Sequence, residues 1–320
     1  MKRAGVIACV CVFFFLMAFP AGAQKFPTRP VKIVNPYPPG GGNGLLALAF
    51  QKPFGDELGT KVIIENIPGG ATKVATFEVL KARPDGYTLI LQSDRIWPVY
   101  YHSNRWESKV WEQLTPIGNL TVEAWGFVEV KQDSPFKKWE DVVKAAKETP
   151  AKLNCGVAGA GGLLELFFTE YFKRLGTEIK FVPFGGAGPS KTALLGGHVD
   201  LRLCTAPEAI PNVVDNLTRG LAIATSKRHE KIPEVPTFKE LGIGDALLTS
   251  RSIWGPPTLP TALVNLLAKA IEKSVKDPEF IERVENQLYY KVEYRSPEKV
   301  RSELLAFYRE YGPMLEAHFK

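Results

Sequence analysis

Apolar and polar positions fall along this chain in two alternating rhythms, short runs of strand length and longer stretches with helical spacing. "VKIVN" (31–35) precedes a helix-patterned segment at 45–58, "KVIIEN" (61–66) precedes another at 73–81, and "YTLILQS" (87–93) completes the series. This strand-helix-strand-helix-strand order predicts a parallel sheet with helical crossovers. The order then returns. "KLNCGV" (152–157), a helix at 163–175, "IKFVPF" (179–184), a helix at 190–195, "VDLRLC" (199–204), a helix at 207–212 and "GLAIATS" (220–226) make a second half. Between the halves, the second part of "PIGNLTVEAWGFVEVK" (116–131) reads as a strand. "SRSIWGPP" (250–257) runs into a helix at 261–276, and helical stretches at 278–287 and 297–319 close the chain.

Two such halves in one chain predict two α/β lobes, with the chain crossing between them twice. One lobe is expected over 25–124 plus 254–320 and the other over 125–253. A cleft between lobes is a natural ligand site.

The first 23 residues stand apart. Lys2 and Arg3 precede an apolar run that ends at Phe19, followed by Pro20 and the small triplet Ala21-Gly22-Ala23. A basic start, a short apolar core and an A-x-A-like site predict a secretory signal peptide over 1–23, cleaved after Ala23. The run is shorter than the roughly 20 residues of a spanning helix, which makes a retained anchor the weaker alternative. Losing Lys2 and Arg3 takes the net charge from +6 to +4. There is no basic stripe of the kind nucleic-acid binding requires, so no nucleic-acid partner is expected. The mature protein is expected in the periplasm as a monomer.

Two cysteines remain after cleavage, Cys155 and Cys204, in no zinc-binding or C-x-x-C spacing. Two free, buried thiols are preferred over a single disulfide, because free cysteine packs readily in cores.

Four glycine-rich turns fall where strands give way to helices: "YPPGGGNG" (37–44), "NIPGGAT" (66–72), "VAGAGG" (157–162) and "FGGAGPS" (184–190). Ligands of open parallel sheets bind at the carboxyl ends of strands. Glycine lets a ligand approach the backbone closely, and a helix N-terminus adds unpaired N–H donors and a positive dipole end. One such loop alone reads as a tight turn; four on two lobes point to anion capture by backbone donors. No G-x-x-x-x-G-K-[ST] occurs, and "GAGGLL" (159–164) has Leu164 where a dinucleotide fingerprint has its last glycine. A small carboxylate therefore fits better than a nucleotide.

No catalytic set emerges. His102, His198, His229 and His318 belong neither to H-E-x-x-H nor to a G-x-S-x-G elbow, and Glu165, Glu170 and Asp200 show no pairing. No enzyme activity, metal or cofactor is expected.

The segments "FPTRPVKIVNPYPPGGGNG", "VIIENIPGG", "RPDGYTLIL", "VPFGGAGPSKTALLGGHVDL" and "SKRHEKIPEVPTFKELGI" follow one another in this chain. Together they resemble the extracytoplasmic solute-binding proteins of tripartite tricarboxylate transporters, the TctC or Bug family. The resemblance covers nearly all of the mature chain. It implies an α/β, two-lobed periplasmic-binding-protein fold (Venus-flytrap, type II) with a ligand cleft between the lobes. It also implies a small organic acid as ligand and the membrane components of a tripartite transporter as partners. The alternative is a sensor that presents its solute to a membrane kinase, and a third reading is a periplasmic hydrolase or transferase.

By the same resemblance, the first lobe grips the ligand through Tyr37, Pro39, Gly40, Gly41, Gly42 and Asn43, with Ser93 at the end of the third strand. The second lobe grips it through Ala158, Gly159, Ala160, Gly161 and Gly162. Phe184 stands where the family usually has tyrosine, and Cys204 and Thr205 meet the far end of the ligand where relatives carry an Asp-Asn pair. Glu165 replaces a usual histidine. With that Asp-Asn pair gone, the far wall is expected to be less polar and to prefer plain or apolar-tailed carboxylates over amino acids.

Overall fold

The computed structural model describes residues 26–103, 106–244 and 248–319; the expected export segment, 1–23, lies outside them. The first series forms as its pattern predicts. Strand β1 (Val31–Asn35), helix α1 (Gly42–Leu58), β2 (Val62–Asn66), α2 (Lys73–Leu80) and β3 (Thr88–Ser93) build a parallel unit, with Val31 opposite Val62 and Lys32 opposite Thr88. Helix α1 starts three residues earlier than its apolar spacing suggests, because glycines carry it to its cap at Gly41. It stops where Gly59 takes the left-handed conformation at φ 67° and donates to Asp56 and Gly55.

After α3 (Ile96–Ser103) and α4 (Val110–Gln113), β4 (Thr115–Ala124) leads through Trp125 and Gly126 into β5 (Phe127–Lys131). Helix α5 (Trp139–Glu148) opens the second series: β6 (Asn154–Val157), α6 (Leu163–Arg174), β7 (Lys180–Pro183), α7 (Ala187–Leu195), β8 (Leu201–Cys204), α8 (Ala206–Val214) and β9 (Thr218–Ile223). The chain returns as β10 (Leu248–Gly255), α9 (Thr261–Ser274), α10 (Pro278–Ile281) with a π-helical continuation (Glu282–Gln287), β11 (Lys291–Arg295) and α11 (Pro297–Phe319).

Two sheets result, ordered β11-β4-β10-β3-β1-β2 and β7-β6-β8-β5-β9. Neither is wholly parallel, a correction to the pattern-based expectation. In each, the strand that arrives from the other lobe inserts antiparallel: β10 between β3 and β4, and β5 between β8 and β9. The boundary expected between 253 and 254 falls inside β10, a strand of the six-stranded sheet.

The strand expected in the second half of 116–131 is β5; β4 occupies the first half, where the pattern predicts no strand, and the reason is burial on both faces. Helices α9 and α11 both pack on it, and nine of its ten residues are buried. Asn119 donates to the Glu293 carbonyl at 2.7 Å and accepts from Ser252 Oγ at 3.1 Å. Strand β11 and helices α3 and α5 were likewise not legible from periodicity.

The first lobe's core is anchored by Phe50, stacked on Phe54 at 4.8 Å between centroids and edge-on to Phe280 at 5.9 Å. In the second lobe Trp139, Phe168, Phe172 and Phe238 fill the equivalent space. Each such ring contributes about 1.5–3 kcal/mol when fully buried. Cys155 and Cys204 are free and buried; Cys155 pairs with Leu201 on β8, so the two thiols do not face each other across the ladder.

Candidate functional site

The carboxyl ends of the parallel strands in both sheets converge on one half-open cavity of about 150 Å³. The first lobe contributes the β1–α1 loop, Ser93, and Ile96 and Tyr100 of α3; the second contributes the β6–α6 loop, the start of α7, and the end of β8 with the start of α8. Trp125, on the crossing between the lobes, closes one side.

Tyr37, Pro39, Gly41, Gly42, Asn43, Ser93, Ala158, Gly159, Gly162, Cys204 and Thr205 all line this cavity. Gly40, Ala160, Gly161 and Phe184 are not among its lining residues. Gly40 turns the chain at φ 85°, and Ala160 is exposed. Gly161, at φ 67°, is pressed against Ser103, whose Cβ would lie 2.6 Å from a Cβ added there. Phe184 packs with Leu194 and Val199 beside α7. Of the four glycine turns, 66–72 stays away from the cavity and contributes from behind, through Asn66, which accepts a 2.7 Å bond from Asn35.

Four helix N-termini point into this space, and they are not equivalent. Helix α1 has Gly41 as its cap, with no side-chain cap and no acidic residue in its first turn. Its first intrahelical bond runs from Leu45 N to Gly41 O, leaving the N–H groups of Gly42, Asn43 and Gly44 without a helical acceptor. Helix α7 also lacks a side-chain cap; its cap residue is Gly186, which faces the first lobe: a Cβ there would lie 3.8 Å from Pro38 Cδ. The other two ends are occupied by their own chain. Glu165 of α6 accepts the Gly161 N–H at 2.7 Å, and Glu208 of α8 accepts the Thr205 N–H at 3.3 Å.

Side chains expected to meet a ligand are committed elsewhere. Asn43 donates to Asn35 Oδ1 at 2.8 Å and to the Leu91 carbonyl at 3.0 Å, and accepts from Arg251 Nη1 at 3.3 Å. Ser93 Oγ is bonded to Thr249 Oγ1 at 2.7 Å, and the Tyr37 hydroxyl donates to Gln92 at 3.0 Å. The β1–α1 loop is thus held rigid from behind, which leaves its backbone to face the cavity.

Three charged residues line the cavity: Glu165, Glu208 and Arg251. The far wall is therefore not poor in charge, contrary to the expectation drawn from Cys204 and Thr205. Burial pushes the Glu165 carboxyl up, while the backbone N–H groups of Gly161 and Gly162 pull it down. Glu208 lies 3.3 Å from Arg202 Nη2. Arg202 is buried, ion-paired with Glu129, and bonded to Ser190 Oγ at 2.9 Å and the Ala187 carbonyl at 3.3 Å, so it ties α7 and α8 to the sheet. Arg251, on β10, sits 2.7 Å from Glu123 of β4. Burial works against its charge, but Glu123 and the nearby Tyr290, Tyr37 and Glu208 more than offset that. No local motif marks Arg251 or Glu208; both reach the cavity only through the tertiary arrangement.

The lobes touch on both sides of the cavity. Glu208 Cγ would lie 3.7 Å from a Cβ on Gly42, and the Tyr100 hydroxyl 3.4 Å from one on Gly159. His318, near the end of α11, lies 3.4 Å from Glu170 on α6. None of the four histidines lines the cavity, and among the described residues no group of three or more His, Cys, Asp or Glu side chains could hold a metal ion.

Comparison with known proteins places this architecture. Residues 47–300 match the family described as "Tripartite tricarboxylate transporter family receptor" (TctC). The "UPF0065 protein in gbd 5'region" of Cupriavidus necator is 32% identical over 283 residues, 88% of this chain and 85% of that protein. A protein described as a periplasmic transporter superposes with a TM-score of 0.82 at 26% identity, over 89% of this chain and 95% of that one. MatC of Rhodopseudomonas palustris, solved with bound malate, superposes with a TM-score of 0.83 at 24% identity, over 92% of this chain and 100% of that one. The expected two-lobed periplasmic-binding-protein fold is the fold of these two solved proteins, and the matched family is one of solute-binding receptors, not enzymes. By its sequence over most of its length, the chain belongs to the TctC family of tripartite tricarboxylate transporter receptors.

Proposed function

We propose that the protein captures a small organic carboxylate in the periplasm and presents it to the membrane components of a tripartite transporter. The observation that carries this reading is the asymmetry of the helix ends at the cavity. Those of α6 and α8 are filled by Glu165 and Glu208, whereas those of α1 and α7 are open and approach each other through Pro38 and Gly186. An open helix end supplies unpaired N–H donors and a partial positive charge, which suits a carboxylate.

The cavity is comparable to one that holds benzene, so the ligand has roughly six to nine non-hydrogen atoms. In this reading residues 25–124 and the chain from β10 onward form one lobe, the chain from 125 through β9 forms the other, and residues 1–23 direct export. Malate, bound by the structurally similar MatC, belongs to the ligand class proposed for this chain. Native mass spectrometry of gently purified protein tests the reading. A retained small acid is expected, and a retained neutral solute would overturn it.

A further inference from the structure

Arg251 is unusual among the cavity's lining residues. It is a cation on a strand, its side chain is 7% exposed, and its Nε has no hydrogen-bond partner among the described residues. Its counter-ion is a poor match. Glu123 Oε1 lies 2.7 Å from Nη2, yet neither carboxylate oxygen is in a well-directed hydrogen bond. Glu123 is fully buried behind the guanidinium and does not line the cavity. Nη1 donates to Asn43 Oδ1 at 3.3 Å, which leaves Nε as the unpartnered donor. A guanidinium that is not fully paired and lines a small cavity can take a carboxylate from that space.

We propose that Arg251 pairs with the ligand's carboxylate, and that Glu123 then takes a proton from solvent, so that ligand binding is linked to proton uptake. This rests on the carboxylate reading of the cavity. Bringing a second carboxylate to one buried guanidinium leaves one negative charge in excess, and a buried carboxylate without a full counter-charge is neutralised more readily than it is kept. Burial already pushes the Glu123 carboxyl up to about 7, with Arg251 opposing and Glu208 reinforcing. The groups facing Glu123 are Arg251 on β10, Glu208 and Thr205 at the start of α8, Tyr290 ahead of β11 and Tyr37 in the β1–α1 loop. Among these, Glu208 is already paired with Arg202. Glu123 is therefore the carboxyl most responsive to a new anion at Arg251.

The test uses calorimetry of the mature chain with lactate, malate, adipate and alanine as probes, at pH 6 and pH 8, in buffers of different ionisation enthalpy. Wild type is expected to bind at least one probe, to bind it about tenfold more weakly at pH 8 than at pH 6, and to take up about one proton per ligand at pH 8. Glu123→Gln should abolish proton uptake, flatten the pH dependence and bind about tenfold tighter than wild type at pH 8. Glu165 and Glu208 remain in that variant, so loss of the slope assigns it to Glu123. The double variant Glu123→Gln/Arg251→Gln, which leaves no unpaired buried charge, should bind at least tenfold more weakly than Glu123→Gln. An unchanged pH slope in Glu123→Gln, or a double variant that binds as Glu123→Gln does, overturns the inference alone. If no probe binds wild type, the carboxylate reading falls as well.

Discussion

The carboxylate of Glu165 accepts the backbone N–H of Gly161 at 2.7 Å, so helix α6 carries its own anion at the end that faces the cavity. A ligand carboxylate approaching that loop meets a like charge, whereas a hydroxyl or ammonium meets an acceptor. Reversing the expectation drawn from Cys204 and Thr205, the second lobe should favour a hydrogen-bond donor at the ligand's far end. Glu165→Gln removes the charge and keeps an acceptor for Gly161. Malate should gain about 1–2 kcal/mol and alanine should lose a similar amount, the scale of a charge contact in a partly buried site. Titration calorimetry of the variant with both probes checks this. Equal shifts of the same sign would remove Glu165 from the specificity argument.

Adjacent glycines in the first loop should respond differently to substitution. Gly41 has φ −81° and nothing nearer than the Pro38 carbonyl at 4.0 Å, so it tolerates a side chain sterically. Gly41→Val should keep its melting temperature and lose binding by tenfold or more, because the new methyl groups enter the cavity. Gly42 cannot accept a Cβ without meeting the Tyr290 hydroxyl at 2.5 Å. Gly42→Ala should cost about 1–3 kcal/mol of stability through overpacking, and Tyr290→Phe in the same chain should recover part of it. Thermal melts without ligand separate the two positions.

Converting the ligand's carboxylate to its amide should weaken binding by about 1.5–3 kcal/mol, the worth of hydrogen bonds to a charged group. Lactate against lactamide is the simplest pair. Equal affinities would exclude anion capture by the open end of α1.

Asp94 gives the fold a pH dependence of its own. It is 2% exposed with Oδ1 unpaired, and burial pushes its carboxyl from 3.8 up to about 6. The folded chain holds this proton more tightly than the unfolded chain does. Its stabilising effect is therefore complete below about pH 4 and is lost as pH rises through 6. Asp94→Asn should be more stable than wild type at pH 8, by up to about 3 kcal/mol, and nearly equal to it at pH 4. Urea melts at the two pH values decide it.

Breaking the buried pair that braces α7 and α8 should be more damaging. Arg202→Met leaves Glu129 buried without its counter-ion and should cost about 3–5 kcal/mol. Adding Glu129→Gln should recover much of that, as measured by denaturant midpoints.

Alternation of short apolar runs with helical spacing was enough to read both strand-helix series, because each of those elements has a face whose burial shows in its own local pattern. The glycine turns 37–44, 157–162 and 184–190 were legible for a similar reason: a loop at the carboxyl end of a parallel strand must lie at the sheet's ligand-facing edge. Strand β4 was hidden because both of its faces are covered, and a strand without a solvent side has no alternation to read. The charges of the site were hidden altogether. Glu123 and Arg251 are 128 positions apart in the chain and become neighbours only because β10, returning from the second lobe, inserts antiparallel beside β4. Which loop donates its backbone was likewise decided by tertiary structure. Whether a helix end is open or filled depends on where one glutamate folds, and the sequence shows Glu165 and Glu208 only as acidic residues in a first turn. Local pattern settled which segments could form the two lobes and their loops; the double crossing of the chain settled which side chains share the cavity.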